Sequence, residues 1–309
     1  MGTQWNLSYV APVGSLSDDE IGAEIELLLE SVNASMSTYR ADSEISLFNA
    51  AAVGEWVHVS QPFFSVLSSA MLINQQSRGA YDVTLGPLID LWGFGVPMGM
   101  GKPPERGEIE QLLASVGHDK LRVNSANHSL MKTSTVQLDF SSIAKGYAVD
   151  QIANWLKEQL IDDFLVEVGG ELRLSGHSAR GDTWRIAIEQ PDGSGRVAQA
   201  LALTDTAVAT SGDYRNFFEF EGKRFSHTLD PHTGYAVEHD LVSVTVVHPS
   251  ATLADGWATA LTALGAEVAI EVAMEQGLAV YFIRREGEGF ISSYSEAFSP
   301  YLQMSEDGA

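Results

Sequence analysis

Residues 164–176 read FLVEVGGELRLSG, two short strand-like stretches that meet at Gly169-Gly170. A Gly pair between such stretches predicts either a hairpin turn or a close approach of backbone to a ligand. The same texture continues downstream in WRIAIEQ (184–190), AQALALT (198–204), AVATSG (207–212), FFEFEG (217–222), KRFSHTLD (223–230) and LVSVTVVH (241–248). Strands that follow one another without intervening helices pair most simply as antiparallel neighbours. With helices segregated to other parts of the chain, the fold class is α+β: largely antiparallel mixed sheets with packed helices.

Those helices are legible on both sides of the strand run. IGAEIELLLESVNASMS (21–37) carries apolar residues at three-to-four spacing behind Ser17-Asp18-Asp19-Glu20, which predicts a capped amphipathic helix. Further helices are expected over 63–78, 109–116, 144–160, 254–264 and 267–275, with PMGMGKPP (97–104) as a loop. LRVN (121–124), SLMKT (129–133), VQLDF (136–140) and AVYFIRR (279–285) read as further strands. No repeat, low-complexity stretch or linker divides the chain, so one catalytic domain over 1–309 is expected, at most with two closely packed subdomains.

The 309 residues include 18 Lys and Arg against 41 Asp and Glu, a net charge of −23, and no Cys. Such a charge argues against a nucleic-acid surface, which relies on clustered cations. Without Cys there are no disulfides, thiol nucleophiles, iron–sulfur clusters or thiolate zinc sites, which leaves hard cations as the first metals to consider. The opening MGTQWNLSYV has no basic-then-apolar leader, and no window approaches about 20 uninterrupted apolar residues. An export signal or anchor upstream of Met1 stays open at this point.

Four segments carry candidate chemistry. In LADGWATALTALG (253–265), Asp255 and Thr259 are four apart on a predicted helix and share a face roughly 6 Å apart along the axis, where both could ligate a hard cation. The plainer alternative is that Asp255 caps the helix and Thr259 packs. In LDFSSIAKGYAVD (138–150), Lys145 could neutralise a phosphate near amides at a helix start, or simply face solvent; the spacing is not that of a Walker loop. KRFSHTLDPHTGYAVEHD (223–240) places His227 at a strand end before an Asp-Pro-x-Thr-Gly turn. In AYDVTLGPLIDLWGFG (80–95) a strand is expected to lead into an aromatic turn whose Trp92 and Phe94 either hold a flat cofactor or seal a core edge. No HExxH pattern occurs, so a His-rich metal site is not expected.

Taken together and in order, MGTQW, MSTYRADSEISLFN, YDVTLGPLIDLWGFG, LDFSSIAKGYAVD, LVEVGGELR, ATSGDYRNF, SHTLDPHTG and ADGWATALTALG resemble the ApbE family across nearly the whole chain. These are the FAD:protein FMN transferases, also described as flavin-trafficking proteins. The resemblance implies an α+β fold and a magnesium-dependent reaction. FAD is cleaved at its pyrophosphate, AMP leaves, and FMN is esterified to a Thr or Ser of a target protein. It further implies acceptors among the flavoprotein subunits of the sodium-pumping NADH:quinone reductase and Rnf-type complexes. A periplasmic, lipid-anchored location is implied too, with the anchoring Cys upstream of this chain.

By the same resemblance, Asp255 and Thr259 match metal-binding side chains, and Ser142 and Thr252 match residues that ligate through their carbonyls. Met1, Tyr39, Ala80, Tyr81, Asp82, Asp139, Lys145 and Thr228 match FAD-contacting positions, and His227 the family's site histidine. Asp255 or His227 is expected to accept the acceptor's proton, Asp255 first because it would lie beside the metal, although a ligated carboxylate is a weaker base and His227 has the better intrinsic pKa. An FAD pyrophosphatase and a non-catalytic flavin carrier are the alternative readings.

Overall fold

The computed structural model describes residues 2–95, 101–212 and 217–302. In chain order the elements are β1 (Trp5–Tyr9), α1 (Asp18–Met36), α2 (Glu44–Ala50), β2 (Trp56–His58), α3 (Gln61–Gln76), α4 (Gly86–Leu91) and α5 (Arg106–Leu113). They continue as β3 (Leu121–Asn124), β4 (Ser129–Lys132), α6 (Ala144–Glu158), β5 (Phe164–Val168), β6 (Glu171–Ser175), β7 (Trp184–Glu189) and β8 (Val197–Leu203). The rest are β9 (Thr206–Gly212), β10 (Phe217–Phe220), β11 (Lys223–Ser226), β12 (Leu241–His248), α7 (Ala251–Leu264), α8 (Ala266–Glu275), β13 (Ala279–Glu286) and β14 (Gly289–Tyr294).

Seven strands form the central sheet in the order β1-β5-β6-β9-β12-β13-β14, every neighbouring pair antiparallel. Smaller sheets pair β7 with β8, β10 with β11, and β2-β4-β3. The α+β expectation holds.

Strand periodicity explains why both faces of the central sheet are covered. On β13, Val280 and Phe282 enter the main core with α6, α7 and α3, while Ala279, Tyr281 and Ile283 point the other way. There they meet Trp184, Leu201 and Leu203 of the β7–β8 pair and Phe298. A third apolar cluster joins Leu88 and Trp92 to Ile109, Phe225 and Leu229. Helix starts follow their caps: Ser17 and Glu20 form a capping box at α1, and Ser60 and Ser250 accept the amides of Phe63 and Leu253 at α3 and α7.

Three local expectations need correction. VQLDF is not a strand: it makes a single parallel bridge, Gln137 to Leu85, and gives the Asp139 N–H to the Val83 carbonyl, while the Asn49 side chain donates to the Leu138 carbonyl and accepts the Leu138 N–H. The run before Gly86 is not a strand either; it leads into helix α4, and the aromatic turn follows that helix, with Trp92 1% exposed and its indole N–H donated to the Gly234 carbonyl at 2.9 Å. Trp92 therefore seals a core edge. Helix α7 starts three residues ahead of the expected point, at Ala251. Asp255 then lies in its second turn, and Ser250 is the cap. Half of the loop over 97–104, residues 97–100, falls outside the described residues.

Candidate functional site

A cleft of about 1000 Å3 opens beside one end of the central sheet, bounded by the end of α1, the 80–94 segment, the start of α6, the β5–β6 turn, β7, β9 and α7. That is the upper end of the usual size for small-molecule sites, roughly 300–1,000 Å3. Its walls bring together Tyr39, Ala80, Tyr81, Asp82, Asp139, Ser142, Lys145, His227, Thr228, Asp255 and Thr259 from segments far apart in sequence.

Helices α6 and α7 build the charged wall by capping each other. Asp255 in α7 accepts the Gly146 N–H in the first turn of α6 at 2.9 Å. Asp150 in α6 accepts the N–H groups of Ala251 (3.0 Å) and Thr252 (2.9 Å) in the first turn of α7, and the hydroxyls of Ser250 and Thr252, both at 2.7 Å. Each carboxylate thus satisfies orphan donors of the other helix and sits at its positive end. The approach requires glycine at 146: a methyl there would collide with the Ala251 carbonyl and lie 2.8 Å from Asp255 Cβ.

Between these helices and β6 lies a row of three charges. The Lys145 ammonium is 2.8 Å from Glu171 Oε1 and 3.3 Å from Asp255 Oδ1. Both carboxylates are buried. Burial pushes the Asp255 carboxyl up, against the pull of Lys145 and the Gly146 N–H. Burial, reinforced by the Asp255 charge, pushes Glu171 up to about 8 although Lys145 opposes it. For Lys145 burial acts downward, but Asp255 and Glu171 outweigh it and hold the ammonium above its usual range. Lys145 is not the solvent-facing side chain that one reading of its position allowed.

The opposite wall is locked by hydrogen bonds from its neighbours. Asn74 donates its side-chain amide to the Tyr81 carbonyl at 2.6 Å. The Tyr81 phenol pairs with the Ser142 hydroxyl at 2.9 Å, and its pKa is raised, chiefly by burial. Asp82 Oδ1 accepts the N–H and hydroxyl of Thr84, and Oδ2 faces His118 Nδ1 at 3.8 Å. Desolvation would raise Asp82, but nearby His118 and the Thr84 hydrogen bonds prevail and lower it. Asp139 accepts the Ser141 N–H. His227 is half-buried, its ring 6.3 Å from Phe94 in an edge arrangement, and Thr228 beside it is buried. Tyr39, 68% exposed, stands at the rim.

Of the sequence candidates, Met1 lies outside the described residues. Thr252 is buried behind the cleft, its hydroxyl and N–H both given to Asp150. Among the described residues no three His, Asp or Glu converge as a metal cluster. The oxygen donors present, the Asp255 carboxylate and Thr259 hydroxyl, are of the kind that hard cations take together with carbonyls or waters. Two carboxyl groups face one ammonium, and among the described residues Glu171 Oε2 is buried without a hydrogen-bond partner. A divalent cation fits such a set.

Glu171 and Asp150 were not singled out from sequence. The signal for Glu171 was its position directly after Gly169-Gly170, the turn already suspected of approaching a ligand.

Comparisons with known proteins agree with the geometry. The sequence profile of the ApbE family matches residues 1–282. The FAD:protein FMN transferase of Haemophilus influenzae is 41% identical over 314 aligned positions, covering 99% of this chain and 90% of that protein. The one from Vibrio cholerae is 41% identical over 303, covering 98% and 90%. Among solved structures, the flavin transferase ApbE from Vibrio cholerae superposes with a TM-score of 0.90 at 40% identity, covering 98% of this chain and 96% of that one. The apo flavinyl transferase ApbE of Pseudomonas stutzeri gives 0.91 at 38%, covering 99% and 95%.

Proposed function

The chain belongs to the ApbE family, and from that premise we propose that it is a magnesium-dependent enzyme moving FMN from FAD onto a Thr or Ser hydroxyl of an acceptor protein. FAD:protein FMN transferase is the activity that its relatives carry over nearly their whole length. The observation that carries the reading is the Asp255–Lys145–Glu171 row on the wall of a cleft large enough for a dinucleotide.

In the proposed reaction the acceptor oxygen forms a bond to the phosphorus on the riboflavin side. The bond from that phosphorus to the bridging oxygen breaks, and AMP leaves with the bridging oxygen. Asp255 and Thr259, with the carbonyls of Ser142 and Thr252, are the groups assigned to magnesium. Bound there, the ion supplies Lewis-acid withdrawal of charge from the pyrophosphate oxygens. Lys145 adds positive charge to a protein whose overall charge of −23 repels a pyrophosphate. Tyr39, Ala80, Tyr81, Asp82, Asp139 and Thr228 are assigned to FAD, Tyr81 being held in place by Asn74 and Ser142.

The acceptor's proton goes to His227. Both Asp255 oxygens are engaged, one by Lys145 and one by the Gly146 N–H, and the His227 imidazole lines the cleft; an imidazole is the stronger general base of the two near neutral pH.

The acceptors proposed are flavoprotein subunits of sodium-pumping NADH:quinone reductase or Rnf-type complexes, and the place of action the periplasm, with a lipid anchor upstream of Met1. Incubation with FAD, magnesium and such a subunit should give a covalently fluorescent acceptor and one AMP per flavin attached. FMN and AMP with an unmodified acceptor would make the chain an FAD pyrophosphatase; FAD recovered intact would make it a carrier.

A further inference from the structure

Glu171 opens β6 directly after the Gly169-Gly170 turn and is 4% exposed, yet it lines the cleft. Its two oxygens are used unequally. Oε1 takes the Lys145 ammonium at 2.8 Å, while Oε2 has no hydrogen-bond partner among the described residues. A buried carboxylate oxygen without a donor is costly, so one left open on a site wall points to a second arrangement in which it is filled.

Lys145 is the donor within reach. It is shared between Glu171 and the more distant Asp255 Oδ1 at 3.3 Å, the oxygen that a cation at Asp255 would need. Two positive charges cannot share one buried carboxylate oxygen without strong repulsion. The Lys145 stem is packed against the turn before Glu171. Its Cδ passes over Gly169, 3.2 Å from where a β-carbon would be, and at φ +61 that position favours glycine on backbone grounds as well.

Resting on the cation reading of Asp255, we infer that Glu171 is a positioning residue that takes Lys145 off Asp255 when a divalent cation binds. The ammonium moves from Asp255 Oδ1 to Glu171, filling Oε2, and Asp255 is released to the ion. The Lys145 charge is thereby kept in the cleft, beside the site of the pyrophosphate, instead of being expelled by the metal.

The test is a double-mutant cycle on Mn2+ affinity, measured by calorimetry and by the electron paramagnetic resonance of free Mn2+, on the full chain without FAD. Glu171→Gln keeps the shape of the side chain and removes its hold on the ammonium. With Lys145 then confined to Asp255, the Mn2+ dissociation constant should rise about tenfold or more. In a Lys145→Met background there is no ammonium to relocate, and adding Glu171→Gln should change the constant by less than about twofold. If Glu171 acted only as a nearby negative charge, the loss would be equal in both backgrounds, which overturns the inference while leaving the cation reading intact. No effect of Glu171→Gln in either background overturns it equally. A wild-type chain that binds no Mn2+ overturns the cation reading and this inference with it. Should Glu171→Gln fail to fold, Glu171→Ala in the same cycle is judged by the same criterion.

Discussion

The Asp150 carboxylate accepts both the N–H and the hydroxyl of Thr252, so the first turn of α7 is held by a side chain from α6. Arg173 closes the arrangement from β6 at 2.7 Å. Because Asp255 and Thr259 lie on α7, the position of the proposed cation ligands depends on this remote cap. Replacing Asp150 by Ala leaves buried donors and the Arg173 charge unpaired, and should cost about 3–5 kcal/mol. Denaturant titration would measure it, and a loss below about 1 kcal/mol would show that water substitutes for the carboxylate.

Gly146→Ala tests the contact between the same helices from the other side. The added methyl meets the Ala251 carbonyl and Asp255 Cβ, neither of which is the end of a flexible side chain. Relief requires α6 and α7 to separate, at a cost of about 1–3 kcal/mol. Separation would also lengthen the Gly146 N–H to Asp255 bond, so stability and Mn2+ affinity should fall together. A destabilised variant with unchanged affinity would uncouple the helix contact from the site.

The two helix contacts show why part of the site was legible in the sequence and part was not. Asp255 and Thr259 share a helix face, so spacing alone brought them together. Alternation likewise marks β5, and a nearly continuous apolar run marks β12, which is buried on both faces. Glu171 and Lys145 meet only through the fold, and nothing local to either marks the other as a partner. VQLDF misled because its strand-like, buried side chains serve a segment that makes only a single bridge to the 83–85 backbone, with Asn49 taking the Leu138 N–H and carbonyl. Helix α4 is short and has no side-chain cap, and its start signal, Pro87 in the first turn, reads equally well as a turn after Gly86. Strand β14, an edge strand reading GFISSY, lacked the apolar density that marked the others.

The Asp82–His118 pair should give the cleft a pH signature. Asp82 holds His118 above its ordinary pKa, and the pair lowers that of Asp82. A histidine raised on folding contributes stability fully below its unfolded pKa, about 6.5, and loses it as pH rises through the folded value. The lowered Asp82 contributes above its unfolded pKa and loses this as pH falls through its folded one. The stability difference between wild type and His118→Gln should therefore peak in mildly acidic solution and shrink on both sides. With His118 39% exposed, solvent limits it to roughly 1 kcal/mol or less. Melting temperatures across a pH series would check this; a difference that grew above neutrality would contradict the assignment.

Asp255→Asn keeps an oxygen for the Gly146 N–H but removes the charge. Cation binding should weaken strongly, and magnesium-dependent flavin transfer should fall by at least about 100-fold. FAD binding measured by flavin fluorescence in EDTA should change far less, since the assigned FAD contacts lie mostly on other segments. A variant that retained near-normal transfer would remove Asp255 from the cation site altogether.

His227→Gln separates proton removal from substrate binding. If the imidazole accepts the acceptor's proton, kcat should fall by about 10²–10⁴ while the KM for FAD moves little. The acid limb of the wild-type pH profile of kcat, which reports protonation of that base in the bound complex, should disappear with it. Glutamine keeps polarity near Phe94, so a packing role alone would alter KM or stability before kcat. Loss of kcat with the acid limb intact would mean that His227 positions the acceptor and another group takes the proton. Asp255 would then be the remaining candidate, its burial-raised pKa placing a carboxylate nearer to the working range of a base.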